Sequence, residues 1–325
     1  MDTKAANSPL EQLGAAPILK WVGGKRVILE ILRANIKNTK SPLVEPFIGG
    51  GALSFSVPTS GPIFIGDLNP ELVNLYKVVS RKSDAESLIA LLQTREFKIT
   101  QDNYYAIRSW DRENNLLELD PIRVAARTYF LNRTGFNGLY RVNSTGYFNV
   151  PFGQKQEDMA FDFENIRSLQ KLLASKLNHE NKKRFKIHDA ANYREQVKSV
   201  LSEIPTAVTV YLDPPYASAP PNNDKAHKPQ SFKTYQKGGF SDADQQVLAD
   251  FVQKLPQKHQ VLVSNVATDQ VKSWYSGMYF LTIPSVPRRV SGKTSGRTGV
   301  DEILISNRPL EFELNGVSLE SGKLR

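Results

Sequence analysis

Residues 43–56 read LVEPFIGGGALSFS. An apolar run, Ser41–Phe47, leads into Gly49, Gly50 and Gly51, and a helical pattern follows. A strand ending in a glycine turn opens an α/β unit, because glycine permits the turn and lets a ligand approach the backbone closely. Nucleotides and flavins use the same arrangement, so it points to a fold class before a ligand. Downstream, IFIGDLNPEL places Asp67 after a second apolar run, Pro62–Ile65, close to Asn69 and Pro70. An acid there commonly holds ribose hydroxyls, although a lone Asp before a helix also serves as a cap. Ser54 stands where the third glycine of G-x-G-x-x-G belongs, which argues against NAD and FAD.

Further strand-length runs occur at Val208–Leu212, Val261–Val263, Tyr279–Ile283 and Glu302–Ile305. The last three follow closely and leave room for an antiparallel pair. Helical patterns at Pro70–Val79 and Ser241–Lys254 lie between runs. Strands alternating with helices predict a doubly wound α/β sheet. From about Arg81 to Asn165 a helix-rich stretch interrupts the rhythm and ends in TYFLNRTGFNGLYRVNSTGYFNVPFG, residues 128–153. The expected division is a loose tail over 1–16, a core over 17–80 and 166–310, an inserted domain over 81–165, and a C-terminal tail over 311–325. Ala217–Gly239 lacks periodicity and is expected as a long surface loop.

Composition excludes several chemistries. There is no Cys among the 325 residues, which removes disulfides, thiolate nucleophiles and Cys-ligated zinc or iron–sulfur sites. The four His are scattered without metal-ligand spacing, so no metal is expected. No apolar run is long enough to span a bilayer, and MDTKAANSPLEQLGAAP lacks the apolar core of a signal peptide. The expected location is cytoplasmic, associated with the nucleoid. A net charge of +9 favours a polyanionic partner. In PILKWVGGKR (17–26) and SGKTS (291–295) the string GK tempts a phosphate-loop reading, but Leu19 and Pro287 stand where its first glycine belongs.

The sharpest chemical motif is VYLDPPY, residues 210–216. In an open α/β sheet ligands gather beyond the carboxyl ends of strands. Pro214 and Pro215 remove two N–H donors, leaving the Asp213 carboxylate and backbone carbonyls as acceptors. Acceptors suit an exocyclic amine, and Tyr216 offers a face on which a flipped base can stack. The plainer alternative is a proline-stiffened turn after a core strand. In the aromatic insert, Arg133, Phe136, Asn137, Arg141, Asn143 and Asn149 lie in a hairpin-like stretch with turn signals at Asn137-Gly138 and Thr145-Gly146. Arg suits guanine edges, Asn suits adenine, and an aromatic can wedge into a stack. A buried aromatic hairpin would read the same way. Arg288, Arg289, Lys293 and Arg297 form a basic stretch between two strands, suited to DNA phosphates or to plain solvation.

Taken together, these residues resemble the Dam-type family (D12 class, alpha group) of adenine-specific DNA methyltransferases, from about Pro17 to Asn307. The order PILKWVGGK, EPFIGGG, DLN, NRTGFNGLYRVN with FNVPFG, DPPY, VSN and DEILISN is preserved. The resemblance implies a Rossmann-like class I methyltransferase core with an inserted, mainly helical target-recognition domain carrying a β-hairpin. It implies S-adenosyl-L-methionine as cofactor, contacted by Trp21, Lys25, the turn Phe47–Gly51 with Gly49 and Gly51, Asp67, Asp189 of HDA (188–190), and Asp213. Asp213 and Pro214 would accept from the target amine, beside Pro215, with Tyr216 stacked on the flipped adenine. Phe136 takes the place of a wedge, Arg141 that of an arginine reading the first guanine of GATC, and Leu139 and Pro151 those of apolar base contacts. Thr134 departs from a position often aromatic in relatives, which leaves a longer site beginning GAT open. Double-stranded DNA is the implied partner of a monomer or weak dimer, with any cognate restriction endonuclease acting separately. Methylation of RNA or of a protein glutamine, and a DNA-binding regulator with a degenerate cofactor site, are the competing readings. Asp213 and the insert oppose the first; the intact EPFIGGG and DPPY oppose the second.

Overall fold

A computed structural model describes residues 15–21, 28–57, 59–154, 161–177, 182–217, 239–286, 300–314 and 317–324. Its main sheet holds β1 (Leu43–Glu45), β2 (Ile63–Ile65), β3 (Phe185–Ile187), β4 (Thr209–Leu212), β5 (Gln260–Val266), β6 (Tyr279–Val286), β7 (Val300–Ser306) and β10 (Ser321–Lys323). Strands β8 (Glu313–Leu314) and β9 (Val317–Ser318) form a separate small pair. The main order is β10-β6-β7-β5-β4-β1-β2-β3. Strands β3, β2, β1, β4 and β5 run parallel, whereas β7 lies antiparallel between β5 and β6. The expected antiparallel pair is therefore formed twice by one strand. Chain order reverses between β1 and β4, where Leu43 pairs with Thr209 and Val44 with Val210. That reversal opens a crevice at the carboxyl edge.

Alternation along the strands divides the core. Val210, Leu212, Val261, Val263, Ile303 and Ile305 face one way, against Val197 and Val200 of α7 (Tyr193–Glu203) and Leu248 and Val252 of α8 (Asp242–Gln253). Tyr211, Leu262 and Leu304 face the other way, into a cluster that includes Leu72, Leu75 and Tyr76 of α2 (Pro70–Val79). The same cluster continues into Leu88 of α3 (Lys82–Leu92), Tyr104 of α4 (Gln101–Glu113), Tyr129 and Phe130 of α5 (Pro121–Thr134) and Leu169 of α6 (Phe163–Leu173). The helices of 81–165 thus share a core with the sheet.

Local signals start these helices. Asn69 accepts from the N–H groups of Glu71 and Leu72 with Pro70 at the first turn of α2, and Ser241 and Asp244 form a capping box on α8. Two expectations need correction. The glycine turn is followed by a single turn, with Phe55 N–H on Gly51 O and Val57 N–H on Leu53 O, and no helix. Pro58 is the reason: it disfavours helical backbone at the residue before it. The segment 311–325, expected as a tail, contains β10, which pairs with β6 through Ser321, Gly322 and Lys323. Among the described residues no helix is long and apolar enough to cross a membrane.

Arg127 of α5 is fully buried and joins three helices. Its guanidinium pairs with Glu71 of α2 at 2.6 Å and Asp111 of α4 at 2.8 Å, and donates to the carbonyls of Ile107 and Arg108. Replacing Arg127 with Met leaves the largely buried Glu71 carboxylate without its ion-pair partner and Asp111 with Arg112 alone. The expected loss is about 3–5 kcal/mol of unfolding free energy. Urea melts check it, and a midpoint close to wild type would contradict the role.

Candidate active site

The crevice is lined first by the glycine turn. Gly49 and Gly51 adopt φ of 45° and 72°, which glycine reaches without strain. A Cβ on Gly49 would lie 2.7 Å from Cδ1 of Trp21, so the Trp21 ring packs directly on the turn. That ring also stacks on Tyr140, with centroids 5.4 Å apart. Phe47 stacks on Tyr193 at 5.2 Å and meets Phe240 edge-on at 6.2 Å, making an aromatic wall. Lys25 lies outside the described residues.

Four acidic residues, Glu45, Asp67, Asp189 and Asp213, close or follow the adjacent strands β1, β2, β3 and β4. Asp67, after β2, accepts from the N–H groups of Gly49 at 3.2 Å and Asn69 at 3.0 Å. Burial raises its pKa to about 6, against those backbone hydrogen bonds. Glu45, the last residue of β1, is buried and accepts from the N–H and hydroxyl of Ser54. Burial pushes its pKa to about 8, Ser54 opposes this, and the charges of Asp213 and Asp67 add to it. Sequence reasoning passed over Glu45; the available signal was an acid closing an apolar run. Asp189, just after β3, is exposed and ion-paired with Lys77 of α2, which lowers its pKa. Its neighbour His188 has a buried Nε2 without a hydrogen-bond partner among the described residues.

Asp213 leaves β4 half-buried, and the next residues are anchored from behind. The Pro215 carbonyl accepts from Gln245 Nε2 at 2.6 Å. Gln245 Oε1 accepts from Asn265 Nδ2 at 3.0 Å, and Asn265 Oδ1 accepts the N–H groups of Ala217 at 3.2 Å and Val266 at 2.9 Å. The Tyr216 hydroxyl donates to Glu302 Oε2 at 2.8 Å. Burial, then the charges of Asp213 and Glu302, hold that phenol well above its ordinary pKa. Gln245, Asn265 and Glu302 carried no role in the sequence reading, because each sits inside an ordinary helix or strand pattern.

The hairpin-like stretch is tied down by α4. Tyr104 hydroxyl and Arg108 donate to Val150 O, Arg112 donates to Phe148 O, and Phe148 N–H donates to Asp111. These four residues share one helical face. The β-hairpin itself is reduced to isolated antiparallel bridges, Val142 with Phe148 and Gly135 with Phe152. Phe136 is 46% exposed, beside Asn137 at φ 55°. Arg141 is exposed, with Nε donating to Asn149 Oδ1 at 2.7 Å. Asn143 spends its side-chain oxygen on the turn, accepting the N–H groups of Thr145 and Tyr147. Pro151 is exposed while its carbonyl accepts the Phe136 N–H at 2.9 Å; Leu139 and Arg133 are half-buried. Thr134 is buried, its hydroxyl donating to Phe130 O at 2.6 Å. Arg288, Arg289, Lys293 and Arg297 lie outside the described residues, as does most of Ala217–Gly239.

The family described as D12 class N6 adenine-specific DNA methyltransferase matches residues 21–291. The chain is 32% identical to the Type II methyltransferase M1.LlaDCHI of Lactococcus lactis subsp. cremoris, over 91% of this chain and 96% of that protein. It is 34% identical to the Type II methyltransferase M.MjaIII of Methanocaldococcus jannaschii, over 90% and 98%. It is 31% identical to the DNA adenine methylase of Escherichia coli (strain K12), over 90% and 95%.

The raised Glu45 pKa makes a stability claim of definite sign. Between its ordinary value of 4.5 and about 8 the folded state holds a proton that the unfolded state has released. Glu45 therefore makes stability fall as pH rises through that window. Glu45→Gln should flatten the fall, read from chemical denaturation at a series of pH values. An unchanged slope would refute it.

Proposed function

Because the chain belongs to the D12 class of N6 adenine-specific DNA methyltransferases, we propose that it methylates the N6 amino group of an adenine flipped out of duplex DNA. S-Adenosyl-L-methionine is the proposed donor, and GATC, or a longer site beginning GAT, the proposed target. The observation that carries this is the juxtaposition of the Asp213–Tyr216 loop with the Gly49–Asp67 turn at the point where strand order reverses.

The residues present fit the donor. Asp67 offers a carboxylate to ribose hydroxyls, the Phe47–Tyr193 wall offers an apolar face, and His188 Nε2 is buried without a partner among the described residues. The neighbouring carboxyl groups of Asp67 and Asp213 suit a cationic ligand, with Glu45 beside them holding its proton at neutral pH. When bound, S-adenosyl-L-methionine supplies a methyl group already activated by its sulfonium. The chain then has to place the amine in line with it and keep its lone pair available. Asp213 and the Pro214 carbonyl accept the two amine N–H groups. Pro215 does not compete, because Gln245 takes its carbonyl. Tyr216 supplies the stacking face, its hydroxyl fixed by Glu302.

In this reading 81–165 is the target-recognition unit. Exposed Phe136 fills the space left by the extruded base, and Arg141, held by Asn149, addresses the first guanine. Asn137, Leu139 and Pro151 lie beside them, and Arg288, Arg289, Lys293 and Arg297 meet phosphates. The protein works as a monomer or weak dimer on nucleoid DNA in the cytoplasm. The Type II naming of two relatives supports a restriction endonuclease acting separately.

Methylation of a plasmid by the purified protein, mapped by single-molecule sequencing, tests the proposal. Wild type should mark adenines preceded by guanine, and Asp213→Ala should mark none while still folding. Near-wild-type turnover in Asp213→Ala would sink the chemistry. Arg141→Ala should lose about 1–3 kcal/mol of first-base discrimination. Undiminished selectivity in that variant would sink the recognition assignment.

A further inference from the structure

Tyr216 follows two prolines, so the segment before it has no N–H with which to pin itself. Its anchors come from elsewhere. Asn265, at the end of β5, and Gln245, on α8, are both fully buried. Burying two carboxamides is unfavourable unless their polar groups are paired. Here the pairing is directional. Asn265 Oδ1 takes the Ala217 N–H after the tyrosine, Asn265 Nδ2 donates to Gln245, and Gln245 Nε2 donates to the Pro215 carbonyl before it. The relay grips the backbone on both sides of Tyr216, while Glu302 holds the ring by its hydroxyl. The capping box of Ser241 and Asp244 sets the register of α8, and with it the reach of Gln245.

We propose that Gln245 and Asn265 are positioning residues for methyl transfer: their relay turns the Pro215 carbonyl inward, leaves Pro214 as the acceptor for the amine, and fixes the face of Tyr216. This rests on the function proposed above. An apolar pair of equal volume would fill the same space but leave the Pro215 carbonyl free to swing toward the amine.

The test uses the full chain, S-adenosyl-L-methionine, and a duplex containing the adenine mapped for wild type. Gln245→Leu and Gln245→Met each remove both the acceptor for Asn265 and the donor to Pro215. Each variant is compared with wild type in single-turnover methylation at saturating DNA and cofactor, in calorimetric cofactor binding, and in fluorescence of 2-aminopurine at the target position. The expected result is a methylation rate lower on the order of 10- to 100-fold, with cofactor Kd little changed and altered 2-aminopurine emission. A rate close to wild type in either variant that binds cofactor overturns the inference. So does a rate loss matched by an equal loss of cofactor binding, or failure of both variants to bind cofactor, because each marks a merely structural role. A wild-type protein that methylates no adenine brings down the proposed function and this inference together. An active wild type with unaffected variants brings down the inference alone.

Discussion

Parallel strands deliver all their carboxyl ends to one edge of a sheet, and between β1 and β4 the chain winds away in opposite directions. Because β1 and β4 are hydrogen-bonded neighbours, Glu45 and Asp213 must leave the sheet side by side despite their distance in sequence. Asp67 joins them from β2. Backbone pairing thus brings carboxyl groups together in a poorly solvated crevice, a cost that raises the pKa of Glu45, through burial and the charges of Asp213 and Asp67, and that of Asp67, through burial. Ser54 and the N–H groups of Gly49 and Asn69 relieve only part of it. A cation in the crevice would relieve more, which is why the proposed donor suits this edge.

The same edge is tied to the helical insert by a short series of polar contacts. Glu71, in the first turn of α2, accepts from Arg127 through one oxygen and from the Tyr140 hydroxyl through the other. Arg127 passes to Asp111, whose Oδ2 accepts the Phe148 N–H of the hairpin-like stretch. Tyr140 stacks on Trp21, which packs on Gly49. Moving the insert as a rigid unit would therefore break buried charge pairs, whose disruption is far costlier than sliding apolar surfaces. The shared apolar cluster reinforces this.

Much of this was legible in the sequence where one residue run carries its own reason. Six of the apolar runs became strands, since a buried strand needs a continuous apolar stretch. The runs β3 and β10 escaped: Lys186 interrupts the first, and the second, Ser-Gly-Lys, is an edge strand with no apolar side chain of its own. At the site, Gly49, Gly51, Asp67, Asp213 and Tyr216 announced themselves because strand-end motifs combine unusual residues. Glu45, Gln245, Asn265 and Glu302 did not, because each occupies an ordinary position in its own element and gains its partner only through tertiary contact. Asn143 illustrates the converse: its type suits a base edge, yet its side-chain oxygen closes the turn.

The antiparallel insertion of β7 between β5 and β6 has a further topological effect. Both neighbours run opposite to β7, so β6 points the same way as β5, and its last residue, Val286, lies toward the edge where Asp213 leaves the sheet. Val300, where β7 begins, pairs with Val286 at that edge. Glu302, two residues into β7, reaches Tyr216 from the same place. The reversed strand accordingly supplies the anchor for the aromatic face at the edge where the parallel strands end.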